Sequence, residues 1–240
     1  MNETPPYDFL SPSTNVLEFR YVTFDPGEDY RAGFERLNFT LRPGELMLVW
    51  HDPKHGPSPI ADAAQGVCVP VAGSVVFQGL DWQEQSSRRM ERLRQDTGRV
   101  YSDVGWSPDQ DLHDHLMEPL RGRWFTSKTS GVRELESLAR LVGLDPLQGK
   151  IAHELPIPDQ QRAQWIRAFL GKPGLVILEH PVSAGNEDRV EALGALIDEA
   201  RSYRAGVIWI TCRKELWDDS PVDVDQRYVV EGSTLRAHME

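Results

Sequence analysis

Two hydrophobic patterns divide this chain. Residues 16–24 (VLEFRYVTF) and 37–41 (LNFTL) alternate apolar with polar positions and are rich in β-formers, which predicts half-buried strands. Residues 46–50, 174–178 (GLVIL) and 206–211 (GVIWIT) are continuously apolar, the pattern of strands covered on both faces. Another short strand is predicted at 73–79 (GSVVFQG), between glycines, and an extended piece begins at Val100 and Tyr101. The charged stretch 84–96 suits an exposed helix. Apolar residues recur at helical spacing at positions 135, 138, 141 and 142. They do so again at Ala163, Ile166, Phe169 and Leu170, after a proline-bearing break at 156–159, and residues 188–203 are amphipathic. Apolar strands alternating with helices imply parallel βαβ units. The expected fold is therefore α/β, with a mostly parallel sheet, added antiparallel strands, and a helical block over about residues 103–170.

Composition narrows the function. A formal charge of −11 over 240 residues argues against nucleic acid or an anionic membrane surface as the main partner, since phosphate contact relies on excess Lys and Arg. No apolar run approaches the roughly 20 residues that span a bilayer. Residues 1–14 are polar and proline-rich without a basic leader, so they are expected to be a disordered tail before one domain over 15–240. Cys68 and Cys212 lie far apart in apolar surroundings and are read as free thiols in a reducing compartment, which points to the cytoplasm.

The densest chemical signal is a loop whose chemistry is missing. Residues 43–66 (PGELMLVWHDPKHGPSPIADAAQG) follow the order turn, apolar strand, glycine-bearing loop and alanine-rich helix, as a phosphate-binding G-x-x-x-x-G-K-[ST] loop does. Overlaid without a gap, the two glycines fall at His51 and Gly56, the lysine at Pro57 and the hydroxyl at Ser58. Pro53, Pro57 and Pro59 also lack the amide N–H groups through which such loops hold phosphate. Three lost charge-assisted hydrogen bonds, at about 1.5–3 kcal/mol each, weaken triphosphate binding by several powers of ten. Ser58 reads as a turn or capping serine.

Over nearly its whole length, residues 16–236, the chain resembles the ATPase domain of ABC transporters. The resemblance rests on VLEFRYVTF, LNFTLRPGELMLVW, GSVVFQGLDW, ELPIPDQQRAQWIRAFLGKPGLVILEHPVSA and GVIWITCRKEL, in the family's order. It implies the P-loop NTPase (RecA-like) core with an antiparallel β subdomain and an inserted helical subdomain. It also implies where function should sit, and there this chain departs. The metal-organising aspartate position holds Glu179, the catalytic carboxylate position His180, the switch-histidine position Cys212 and the Q-loop glutamine position Ser102. The signature loop reads Pro156, Ile157, Pro158 and Asp159, with Asp159 expected as a helix N-cap, and the D-loop aspartate is Asn186. The A-loop aromatic is absent after Phe24, with Tyr30 a weak stand-in.

Family sites are composite, one subunit's P-loop facing the other's signature, and this chain departs in both halves. The expectation is a pseudo-ATPase with no bound cofactor or metal and no catalytic residue. It would dock on a membrane permease, as a homodimer or beside a related ATPase, on the cytoplasmic face. Trp106, Leu112, Leu116, Met117, Leu120, Trp124 and Phe125 lie where the family receives a permease helix and are candidates for docking or for the protein's own core. Two alternatives stand beside this reading. One is a divergent active ATPase holding weak Mg-ATP through Lys54, His55 and Glu179; the other is a soluble scaffold without a membrane partner.

Overall fold

Burial on one face or on two sorts the strands into two sheets. The structure is a computed structural model that describes residues 15–26, 33–55, 58–102, 106, 109–120, 128–182 and 186–238. The expected tail, Tyr30, Gly56, Pro57, Trp124 and Phe125 lie outside the described residues. Strands β1 (Leu17–Phe24) and β2 (Phe34–Leu41) alternate buried and open positions, whereas β3 (Leu46–His51) is buried along almost its whole length. A short helix α1 (Ile60–Ala64) precedes β4 (Ala72–Phe77), β5 (Leu80–Asp81), α2 (Ser87–Arg94) and β6 (Thr97–Val100). The helices α3 (Leu112–Leu116), α4 (Lys128–Leu141) and α5 (Ile157–Phe169) follow. The chain then runs through β7 (Leu175–Glu179), α6 (Val190–Ser202), β8 (Gly206–Thr211), α7 (Lys214–Asp218), β9 (Gln226–Glu231) and β10 (Thr234–Ala237).

Among the described residues, the alternating strands form an antiparallel sheet in the order β2-β1-β4-β5. The apolar ones form a second sheet, β10-β9-β3-β8-β7-β6, parallel throughout except for the β10 edge. This is the α/β architecture expected from the sequence.

Period-two alternation in the parallel sheet then assigns each residue to a layer. Met47, Val49, Leu175, Ile177, Ile208 and Ile210 pack with α1 and the antiparallel sheet. Leu46, Leu48, Val176, Leu178, Val207 and Trp209 pack with the helices on the other side. The helical block joins that second core and has none of its own, because Leu112, Leu135, Val142 and Trp165 belong to the same cluster as the strands. Trp165 is fully buried, and its indole N–H donates to the Pro181 carbonyl at 2.8 Å.

Three expectations are corrected. Trp106, Leu112 and Leu116, considered for docking, are buried in this core, as is Leu120; Met117 packs against it. Helix α3 is capped by the Asp111 carboxylate, which accepts from His113 N–H. Residues 156–159 are not a break. Pro156 is the N-cap and α5 starts at Ile157, so Pro158 stands in the first turn, where a missing N–H costs no helical bond. Asp159 is thus inside the first turn and not the N-cap, paired with Arg162.

The sheet and α5 approach each other most closely at Gly98, where an added Cβ would overlap the Ala168 carbonyl oxygen. Backbone on both sides leaves nothing flexible to yield. Gly98→Ala is expected to lower stability by about 3 kcal/mol or more, read as the shift in urea midpoint.

Candidate functional site

In open parallel sheets, ligands gather outside the carboxyl ends of the strands. Here β3 ends at His51, β7 at Glu179 and β8 at Thr211, with Arg99 next to last on β6. Strand register fixes which of these face α1. Arg99 pairs in register with Ile177, on the α1 side, and Glu179 lies two residues beyond on the same face. His51 follows Met47 and Val49 onto that face. Alternation would send His180 to the far side. Instead it has a left-handed backbone, φ 46°, directly after the strand, and its ring returns to meet His51.

The dominant feature was not singled out in the sequence. Arg99 is only 8 % exposed and lies between two carboxylates. Its Nε donates to Glu179 Oε1, and its Nη1 donates to Asp62 Oδ1 on α1 at 2.5 Å and to Gln65 Oε1 at 3.1 Å. The Tyr101 ring covers the guanidinium at 4.6 Å. Burial works against the Arg99 charge, but the bonds and charges of Glu179 and Asp62 outweigh it and hold its pKa above the ordinary arginine value. Burial pushes the Glu179 carboxyl up, and the guanidinium pulls against that rise. The strand reads TGRV, too short and mixed to mark its arginine as buried, so the sequence offered no clear signal.

The second feature is a pair of imidazoles. His51 Nε2 and His180 Nε2 are 3.0 Å apart, and His51 Nδ1 lies 3.2 Å from the Asp52 carbonyl. A carbonyl only accepts, so a neutral His51 ring donates from Nδ1 and accepts from His180 Nε2–H. That leaves His180 Nδ1 as a bare acceptor, buried and without a partner among the described residues. Burial, followed by the neighbouring His51, pushes the His180 pKa down to about 4.

The remaining predicted positions are dispersed. Ser58 Oγ accepts from Ile60 N–H at 3.3 Å, a turn contact. Ser102 is exposed and Cys212 is a half-buried free thiol. Lys54 is exposed on a single turn, Pro53–His55, held by Asp52 Oδ1 accepting from its N–H. At the head of α5, Ile157 is 72 % exposed. Asn186 is fully buried and donates to Pro158 O and Gln161 Oε1, both at 3.0 Å, while Gln161 donates to the His180 carbonyl. These bonds tie the start of α5 to the end of β7.

Glu179, the one carboxylate at the metal-organising position, already accepts from a guanidinium, and Asp62 shares that same cation. Among the described residues, no group of three His, Cys, Asp or Glu side chains is placed to hold a metal.

The His180 shift has a definite sign. Its folded pKa, about 4, lies below the ordinary 6.5, so the unfolded chain binds more protons between those values. The resulting stability is complete above about pH 6.5 and is lost as pH falls toward 4. His180→Asn, which tolerates the left-handed backbone, is expected to lose about 2 kcal/mol less than the parent between pH 7 and 4.5. Urea titrations at the two pH values measure this.

No family model matches the chain. It is similar to the methionine import ATP-binding protein MetN of Corynebacterium diphtheriae, 24 % identical over 170 residues, covering 70 % of this chain and 50 % of that protein. The lipoprotein-releasing system ATP-binding protein LolD of Shewanella denitrificans is 27 % identical over 194 residues, with 78 % and 81 % covered. The glutathione import ATP-binding protein GsiA of Escherichia coli K12 is 25 % identical over 181 residues, 74 % of this chain and 29 % of that one. The chain thus spans half or less of two of these relatives and most of the third. Among solved structures, the ATP-binding subunit of an ABC transporter superposes with a TM-score of 0.78 at 17 % identity, covering 92 % of this chain and 88 % of that one. A dimeric bacterial ABC transporter cassette gives 0.80 at 14 % identity, with 92 % and 97 % covered. The antiparallel sheet, the parallel sheet and the helical layer are those of an ABC ATPase cassette, and the chain's homologues are the ATP-binding subunits of ABC transporters.

Proposed function

We propose that this chain is a homologue of ABC-transporter ATP-binding subunits whose nucleotide site has been replaced by contacts within the protein, so that it serves an assembly without hydrolysing ATP. The observation that carries this reading is the Arg99 guanidinium held between Glu179 and Asp62. Catalysis of phosphoryl transfer is mostly the placement of positive charge around phosphate oxygens. Here the buried cation is already neutralised by two carboxylates, and the imidazole at the position of the catalytic carboxylate is bonded to His51. The other half of a composite site fares no better. Pro156 stands at the position of the signature serine, Ile157 next to it presents an exposed apolar side chain where the family has glycine, and Asp159 adds negative charge in the same turn.

The role left is structural or regulatory: docking on a membrane permease and pairing with a second copy or a related ATPase, at the cytoplasmic face. Relatives named for import and lipoprotein release, and the dimeric form of a cassette of the same fold, support this setting. No helix among the described residues is long and apolar enough to cross a membrane. With Trp106, Leu112 and Leu116 in the core, docking would use other residues.

Calorimetric titration with Mg-ATP tests the reading. No binding is expected at micromolar nucleotide, and Pro57→Lys alone is expected to leave hydrolysis undetectable; micromolar affinity in the parent protein would sink the proposal.

A further inference from the structure

Arg167 differs from the other arginines drawn into the fold. Arg94, Arg99, Arg162, Arg201, Arg213 and Arg227 each donate a hydrogen bond to a carboxylate or a carbonyl. Arg167, on α5 and only partly exposed, has no hydrogen-bond acceptor and no ion-pair partner among the described residues. What it meets is aromatic: its guanidinium carbon lies 5.6 Å from the centre of the Tyr101 ring and 5.3 Å from that of Trp106. Its nitrogens stay open to solvent, unlike the sealed Arg162 Nε.

The surroundings are fixed. Gln164, one turn earlier on α5, is buried; its Oε1 accepts from Tyr101 N–H at 2.8 Å and its Nε2 donates to the Tyr101 carbonyl at 3.3 Å. The Tyr101 ring, 40 % exposed, is thereby held near both Arg99 and Arg167. Arg99 is already matched by Glu179 and Asp62. Trp106 meets His115 edge-on at 4.9 Å, and burial, reinforced by Arg167 against the pull of Glu118, holds the His115 pKa below its ordinary value. Glu118 is the carboxylate whose charge reaches Arg167, but its bonds run elsewhere: Oε1 accepts from Gln110 Nε2 at 2.9 Å, and Oε2 lies 3.9 Å from His115 Nε2. Burial accordingly pushes the Arg167 pKa down. A guanidinium has five donors, and ring faces offset only part of what it loses on leaving water.

We infer that Arg167 is an anchor for a docking protein, receiving an Asp or Glu carboxylate of that partner beside Tyr101 and Trp106. The inference deepens the reading above and rests on it for the existence of a partner. A carboxylate accepts two parallel bonds from the guanidinium fork. Glu118, with a half-exposed side chain nearby, penalises a dianion such as phosphate more than a singly charged carboxylate. A chain of net charge −11 also repels free anions, whereas a side chain carried by a docked protein is delivered by contacts made elsewhere.

Thermal unfolding of the full chain at constant ionic strength tests this, with acetate as the probe because it is the end group of an acidic side chain. In chloride, Arg167→Met, which keeps the stem and drops the charge, is expected to raise Tm by about 2–5 °C. Replacing about 150 mM chloride by acetate is expected to raise the parent Tm by about 1–3 °C and to leave Arg167→Met unchanged. The indole N–H resonance of Trp106, assigned with Trp106→Phe, is expected to move with acetate in the parent and not in Arg167→Met. Should Arg167→Met lose the fold by overpacking, Arg167→Gln decides in its place. A Tm in chloride that falls in Arg167→Gln would show the guanidinium serving the fold itself and overturn the inference. So would a parent indifferent to acetate, an acetate response that survives the substitution, or a larger response to phosphate. Acetate binding tighter than about 1 mM would mark a site for a free acid and overturn the assignment to a partner. Nucleotide binding by the parent, measured by calorimetry, would overturn the functional reading while leaving these comparisons to decide Arg167.

Discussion

A guanidinium buried between two carboxylates is a demanding arrangement, because each ion loses its hydration and only the geometry of the pair offsets that loss. In this protein the offset is good: Arg99 meets Glu179 and Asp62 through different nitrogens, Gln65 satisfies more of the fork, and Tyr101 lies on its face. The arrangement also reaches outward. Its members come from β6, β7 and α1, so it links these three elements at the rim of the sheet.

The sheet behind this cluster explains why the strand ends are the place where chemistry and charge collect. Both faces of the parallel sheet are covered, one by the antiparallel sheet and α1, the other by the helices. Polar side chains can enter only where a strand runs out. His51, Glu179 and Thr211 are all last residues of their strands, and His180 is turned inward by a left-handed backbone just past one. In the cassettes whose fold this chain shares, that rim is where a nucleotide would be met. Here it is filled from within: guanidinium against carboxylate, imidazole against imidazole, and Asn186 and Gln161 tying α5 to β7.

The contrast between the two histidines and the arginine shows how burial sorts charge. His180 gives up its proton readily because a neutral ring costs least beside His51. Arg99 keeps its charge because two carboxylates share it. The same low-water rim thus discharges one base and holds another charged, according to the partners each finds.

The α/β class, the alternating strands β1 and β2 and the apolar strands β3, β7 and β8 were readable in the sequence, because alternation and continuous apolar runs are local records of one-sided and two-sided burial; β9 and β10, mixed in polarity, were not. The assignment of Glu179, His180, Cys212 and Ser102 to functional positions came through the resemblance alone, which supplies the positions and says nothing of the contacts these side chains make. The start of α5 was misjudged because two prolines read as a break, although a first turn tolerates them. Trp106, Leu112 and Leu116 were ambiguous for another reason: a segment's apolar content does not say whether its own core or a partner covers it. Arg99 stayed hidden for the most physical reason of all. Its meaning depends on Asp62 and Glu179, 37 and 80 residues away in sequence, and only strand register and the packing of α1 bring the three together.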